Sequence, residues 1–251
     1  MKLLLTNDDG IDGKGIISLA NALKGSYEIL VVAPQRNHSS TGHSMTIGKP
    51  LRLTKMTAYH GVEAYSFDGT PADCVKFAAQ HFAGHGIDAV VSGINNDHNV
   101  GSDVMYSGTV AAAFEAAYLG FPAIALSASS RDPEHYDAFA KIAANLLPDL
   151  FALQTQRFIW NVNFPEIAPE KIKGVSVTPL GVHRFDDHYD ETDENCFSLN
   201  GQPITDQINP VDCDVNMIHD GFITATPLLC NRTDMETVER LRSAISFGKK
   251  S

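Results

Sequence analysis

LLLTNDDG, residues 3–10, decides how the rest of the chain is read. Three leucines and a threonine begin a buried strand, and two adjacent carboxylates, Asp8 and Asp9, follow at once with Gly10 behind them. Two ionised groups side by side at the end of a core strand repel each other unless something compensates them. The segments that follow show what kind of sheet this strand enters.

Strand and helix signals alternate through the first 173 residues, as a mostly parallel sheet flanked by helices requires. After KLLLT (2–6) comes GIISLANALKG (15–25), with apolar residues at helical spacing, and then YEILVVAP (27–34), a buried strand ended by Pro34. QRNHSSTGHS (35–44) is a loop of turn formers, and MTIGKPLRLTKM (45–56) with EAYSFDG (63–69) reads as a β-hairpin excursion. In DGTPADCVKFAAQHF (68–82), Thr70 is placed to cap a helix and Pro71 to occupy its first position. GIDAVVSG (86–93) is a strand that runs into a polar loop, INNDHNVGSDVMY (94–106). SGTVAAAFEAAYLGFP (107–122) is an alanine-rich helix capped by Ser107 and stopped by Gly120 and Pro122. AIALSA (123–128), YDAFAKIAANLLPDLF (136–151) and FIWNVNFP (158–165) continue as strand, helix and strand.

Beyond about residue 174 the alternation stops. The stretch to about 232 reads as β-segments, loops and prolines, an extended arm. DMETVERLRSAISF (234–247) closes the chain as an amphipathic helix within residues 233–251. The expectation is one α/β domain over 1–251, with a core (1–173), a β-rich arm and a terminal helix.

Composition narrows the function. Of 251 residues, 43% are hydrophobic and 20% charged, and 19 basic against 30 acidic side chains give a formal net charge of −11. That balance disfavours a nucleic-acid duplex or an anionic membrane surface as partner. No run approaches the ~20 apolar residues of a membrane span, and the first residues lack the pattern of a secretory leader. Cys74, Cys196, Cys213 and Cys230 are widely spaced, with no C-x-x-C. Reduced thiols and a cytoplasmic location are the expectation.

Ligands of open parallel sheets bind beyond the carboxyl ends of the strands. Three polar loops reach that edge, and they offer Asp8, Asp9, Ser39 or Ser40, Asn95, Asn96 and Asn99. This set of hard oxygen donors suits Mg²⁺ or Mn²⁺ better than zinc or copper, and one divalent ion neutralises the Asp8–Asp9 pair. A single Asp there is more simply a helix cap or an Asx-turn; a pair joined by two oxygen-rich loops favours the metal. The helix start Ser107, Gly108 and Thr109 adds hydroxyls, free N–H groups and the positive dipole end, the makings of an anion site.

Other motifs are less specific. Gly13 and Gly15 form part of a GxGxxG, but Ser18 stands where the third glycine belongs, and neither a P-loop nor a D-x-D-x-T is present. His38, His43 and His98 read as polar loop residues, with His98 a candidate for proton transfer. His188 among Asp186, Asp187 and Asp190 reads as a solvated acidic face rather than a second metal site. Lys14 and Arg36 either touch phosphate or face solvent. Asp68, Thr70 and Asp73 begin a helix in which Cys74 belongs to the core.

LLTNDDG, VVAPQRNHSSTG, FDGTPADCV, VVSGIN, NVGSDVMYSGTVAAAFEA, WNVNFP and DGFITATPL, in that order, resemble the SurE (survival protein E) family of metal-dependent nucleotidases over nearly the whole chain. The resemblance implies a Rossmann-like α/β core and an arm used in assembly of a homodimer or homotetramer. It implies phosphomonoesterase action on nucleoside 5′- and 3′-monophosphates with one divalent ion per subunit, Mg²⁺ or Mn²⁺. By position it implies Asp8, Asp9, Ser39 and Asn95 as metal ligands, Asp8 and Asp9 as catalytic, and Asn99, Ser107, Gly108 and Thr109 around the phosphate. One position departs: the family reads SGIN-x-G-x-N-x-G, and Asp97 stands at the first of the glycines that follow SGIN. Asp tolerates a left-handed backbone better than most residues, and its charge adds to the site. Two other readings are a nucleotide-binding regulator without turnover and an assembly protein acting through its arm.

Overall fold

β1 (Lys2–Thr6) is buried along its whole length and is an interior strand of a nine-stranded sheet. The computed structural model describes residues 1–130, 132–204 and 206–242. After β1 come α1 (Lys14–Leu23), β2 (Glu28–Pro34), β3 (Leu53–Met56), β4 (Glu63–Phe67), α2 (Pro71–His81) and β5 (Ala89–Asn95). Then follow α3 (Gly108–Tyr118), β6 (Ala123–Ala128), α4 (His135–Leu153), β7 (Phe158–Phe164) and β8 (Val175–Val177). The chain continues through β9 (His188–Asp193), β10 (Cys196–Asn200), α5 (Asp214–His219), β11 (Ile223–Leu229) and α6 (Met235–Arg242).

The order across the sheet is β3-β4-β2-β1-β5-β6-β7-β11-β8. Strands β4, β2, β1, β5, β6 and β7 run parallel. Taken in chain order, they have the doubly wound, Rossmann-like arrangement, with the direction of winding reversing between β1 and β5. The loops after β1 and β5 therefore diverge at the point where such sheets form a crevice.

Each face of the sheet has its own core. Leu3 and Leu5 face Ile16, Leu19, Leu23, Phe139 and Leu147 of α1 and α4, while Leu4 faces Val75, Ala78, Val110 and Ala113 of α2 and α3. The alternation along β1 thus buries leucines on both faces, worth roughly 1.5–3 kcal/mol for each fully buried side chain. At Gly15 an added Cβ would lie 1.9 Å from the Ile94 carbonyl oxygen, so glycine lets α1 press against the end of β5.

α2 begins as its sequence dictates: Thr70 accepts from the Asp73 amide, the Asp73 carboxylate accepts from the Thr70 amide, and Pro71 follows the cap. Cys74, one turn in, is fully buried.

Two expectations need adjustment. The hairpin of β3 and β4 is no excursion, because β4 pairs in parallel with β2 and extends the main sheet; residues 45–50 form no strand. The arm is shorter than 174–232: β8 and β11 complete the far side of the main sheet, β11 antiparallel to β7. What projects is the segment around the two-stranded β9–β10 hairpin, exposed throughout. Of the expected closing helix, α6 is described to Arg242, and residues 243–251 lie outside the described residues. No helix among the described residues is long and apolar enough to cross a membrane.

Candidate active site

The loops after β1 and β5, the start of α3 and the base of the arm surround a cleft of about 1080 Å³. Asp8, Asp9, Ser39, Ser40, Asn95, Asn96, Asn99 and Ser107 all line it, so three loops distant in sequence converge as the strand-end rule requires.

The turn after β1 is closed by Asn7, whose side chain donates to the Gly10 carbonyl over 2.8 Å and accepts from the Gly10 amide over 3.2 Å. This turn sends Asp8 inward, at 3% exposure, and leaves Asp9 half-buried. The Thr109 hydroxyl donates to Asp8 Oδ1 over 2.6 Å. Burial pushes the Asp8 carboxyl up, while the Thr109 hydroxyl and the Gly108 and Thr109 amides act the other way. The positive end of α3 is thus aimed at Asp8. Thr109 is fully buried, and its hydroxyl is engaged by that carboxylate.

Asp9 Oδ2 accepts from the Asn96 amide over 2.9 Å. Burial and the neighbouring Asp8 charge push Asp9 up to about 6, with Asp97 adding to the effect. Among the described residues, neither aspartate takes part in an ion pair. Lys14, the nearest candidate by sequence, pairs with Asp137 at 2.9 Å, and Arg36 is exposed on its loop.

The neutral donors stand ready in different ways. Asn95 donates its amide NH₂ to the Asp97 carbonyl over 2.9 Å, and among the described residues nothing donates to its side-chain oxygen. Ser39 is exposed on the loop after β2, where its backbone amide donates to Asn37 Oδ1 over 2.7 Å. Ser107 caps α3, accepting from the Val110 amide over 3.1 Å, and borders the cleft. At Gly108 an added Cβ would lie 2.8 Å from Asp8 Cβ and 2.9 Å from its Oδ2. Only glycine lets α3 approach the first aspartate so closely.

A divalent ion fits this arrangement. Two carboxylates without a cationic partner, a free amide oxygen and an exposed hydroxyl are oxygen donors of the kind magnesium and manganese take. Among the described residues no three His, Cys, Asp or Glu side chains form a metal-holding group, so neutral oxygens would have to complete any such site.

Asn99 is held more firmly than its sequence position suggests. Its side chain donates to Ser127 Oγ over 2.7 Å, its amide to Asn163 Oδ1 over 2.7 Å, and its carbonyl accepts from Asn161 and Asn163. Asn161 and Asn163 alternate along β7 and are fully buried, so they share one face of the sheet and brace the loop. Their alternation within FIWNVNF was the available signal. Asp97 does not adopt a left-handed backbone; among described non-glycine residues only Ser40 and Asn195 do. The tolerance of aspartate for a left-handed backbone is not called on at position 97.

The remaining histidines divide. His43 Nε2 pairs with Glu115 at 3.0 Å, and the His38 backbone amide donates to the Asp8 carbonyl over 2.7 Å. His98 donates from Nε2 to the Phe164 carbonyl over 2.7 Å and borders the cleft. His188 is exposed and stands 3.6 Å from Asp190.

The far wall of the cleft was not foreseen. Gly181, Val182, His183, Arg184, Phe185 and Asp187 from the base of the arm line it. Asp214, fully buried, accepts from the Gly101 amide over 2.8 Å and the Gly181 amide over 2.6 Å, tying the β5 loop to the arm.

Comparison with known proteins agrees with this architecture. The family model for Survival protein SurE matches residues 3–187. The chain is similar to a 5′-nucleotidase SurE of Syntrophomonas wolfei subsp. wolfei, 37% identical over 98% of this chain and 95% of that protein. It is also similar to a 5′-nucleotidase SurE of Nitratidesulfovibrio vulgaris (strain DP4), 41% identical over 97% of this chain and 99% of the relative. The crystal structure of the SurE protein from Aquifex aeolicus superposes with a TM-score of 0.83 at 32% identity, covering 97% of this chain and 99% of that one. With its aspartate pair, its β5 loop and its capped α3 in place around one crevice, the chain belongs to the SurE family.

Proposed function

We propose that this chain is a divalent-metal-dependent nucleotidase that hydrolyses nucleoside 5′- and 3′-monophosphates to nucleoside and phosphate. The observation that carries the reading is the Asp8–Asp9 pair, buried and half-buried at a strand end, facing the cleft with no cationic partner among the described residues. Relatives named 5′-nucleotidase SurE at 37% and 41% identity support the substrate class.

Asp8, Asp9, Ser39 and Asn95 would hold one Mg²⁺ or Mn²⁺ ion. When bound, such an ion supplies positive charge against the phosphoryl oxygens. The chain's own groups do the rest. Ser107 offers its hydroxyl proton to a phosphoryl oxygen, and the braced Asn99 loop keeps the opposite wall in place. Thr109 holds Asp8 in one orientation, and Gly108 leaves room for it. Asp9, with one oxygen on the Asn96 amide, uses the other to orient the attacking water and receive its proton.

The β9–β10 hairpin places Tyr189 opposite Leu199 and Phe197 opposite Glu191, an exposed apolar patch on a two-stranded ribbon. Such a ribbon is marginal alone, which supports assembly into a homodimer or homotetramer, measurable by light scattering.

The test is phosphate release from nucleoside monophosphates after chelation and after restoring Mg²⁺ or Mn²⁺. Activity lost on chelation and regained with either ion is expected. Tight nucleotide binding without phosphate release under any metal would instead identify a regulator.

A further inference from the structure

His183 sits at the base of the arm and lines the same cleft as Asp8 and Asp9. Three separate contacts hold it to the turn that leads into Ser107. Its Nδ1 stands 2.6 Å from Asp103 Oδ2, its amide donates to Ser102 Oγ over 3.2 Å, and the Ser102 hydroxyl bonds its carbonyl. One step away, Asp214 clamps Gly101 and Gly181 together. The ring packs edge-on against Phe185 at 4.8 Å.

This arrangement determines the tautomer. Asp103 accepts the proton on Nδ1, so the second nitrogen, Nε2, decides the charge of the ring. No group among the described residues bonds Nε2. A histidine oriented by a carboxylate through one nitrogen, with the other free in a cleft, is built to transfer a proton. The Asp103 hydrogen bond raises the imidazole above its ordinary value against the effect of burial, with Asp97 and Asp214 adding to the rise. The site thus favours the protonated ring more than free solution does.

Resting on the nucleotidase reading, we propose that His183 is the general acid that protonates the leaving nucleoside oxygen, with Asp103 as its positioning residue. The oxygen of a water molecule bonds to phosphorus while the bond from phosphorus to the sugar oxygen breaks. The electron pair of that bond goes to the sugar oxygen, which takes the Nε2 proton of His183. The proton of the attacking water passes to Asp9, and solvent returns both groups to their starting states. A sugar alkoxide is too basic to leave unaided, whereas an aryl oxide leaves without a proton.

That difference provides the experiment. Wild type, His183→Gln and Asp103→Asn are compared on a nucleoside 5′-monophosphate and on p-nitrophenyl phosphate, with Mn²⁺ present and folding checked by thermal melting. His183→Gln is expected to lower kcat on the nucleotide by about 100-fold, the scale of general-acid catalysis, and to change the aryl ester by no more than a few-fold. Asp103→Asn is expected to show the same selectivity with a smaller loss, and it carries the test should the first variant fail to fold. Equal losses on the two esters, or no loss on the nucleotide, overturn the proposal and assign His183 to holding the arm. Hydrolysis of neither ester by wild type overturns the nucleotidase reading instead.

Discussion

The hydroxyl of Thr109 donates to Oδ1 of Asp8 over 2.6 Å, joining the first turn of α3 to the end of β1 across 101 residues of sequence. Both groups are buried, so the bond is made in a medium where an unmet carboxylate oxygen is costly. Thr109→Val keeps the shape and removes the donor. Hydrogen bonds to charged groups are worth about 1.5–3 kcal/mol, so phosphate release is expected to fall by about 10- to 100-fold, while Thr109→Ser stays near wild type. Steady-state kinetics on a nucleoside monophosphate checks this.

Asp9→Asn retains an acceptor for the Asn96 amide and removes one of two adjacent charges. Metal-free protein carrying this change is expected to melt at a higher temperature than wild type, because burial and the Asp8 charge oppose ionisation there. Phosphate release should fall by at least about 100-fold, a loss in the range of removing a general base. Wild-type activity in a metal-replete assay would contradict the role given to Asp9.

Gly108→Ala brings a Cβ to within 2.8 Å of Asp8 Cβ, closer than such atoms approach. Either the carboxylate or the start of α3 must shift. Overpacking of this kind costs about 1–3 kcal/mol, and the expected result is a lower melting temperature together with loss of metal binding measured by calorimetry.

Asn163 donates to and accepts from the backbone of Asn99. Asn163→Ala strands the buried Asn99 amide, at about 1–3 kcal/mol for an unsatisfied group. Denaturant unfolding should show the loss, and kcat should fall because the loop carrying Asn95 loses its brace.

The His183–Asp103 contact makes stability depend on pH. The imidazole is raised above its unfolded value by the Asp103 bond, against burial, with Asp97 and Asp214 in support. A folded state that binds the proton more tightly is stabilised fully below about pH 6.5, the unfolded value. That stabilisation disappears as pH rises through the higher folded value. Asp103→Asn should therefore cost more stability at pH 5.5 than at pH 8.5, as read by urea titration at the two values.

Much of the fold could be read along the chain because its causes are local. The apolar run of β1, the Thr70–Pro71 start of α2 and the Ser107 cap of α3 are each written within a few residues. The crevice followed from topology alone, since parallel strands must send their polar loops to one edge. β8 and β11 read as β-segments of the arm, because a three-residue strand and one containing Pro227 carry no signal of which sheet they join. The pairing of β11 with β7, not its composition, makes it a strand of the main sheet.

The sequence by itself therefore determined the layered α/β plan and the gathering of Asp8, Asp9, Ser39, Asn95 and Ser107 at one sheet edge. Only the tertiary structure decided what each group is bonded to. Thr109 turns to Asp8, Asn161 and Asn163 to Asn99, Asp103 to His183, and Asp214 reaches Gly101 across 113 residues. Periodicity and capping report on neighbours within a turn or a pleat. The register between segments far apart in the chain is set by how whole elements pack, so the braced loop and the arm's wall of the cleft exist only once the chain has folded.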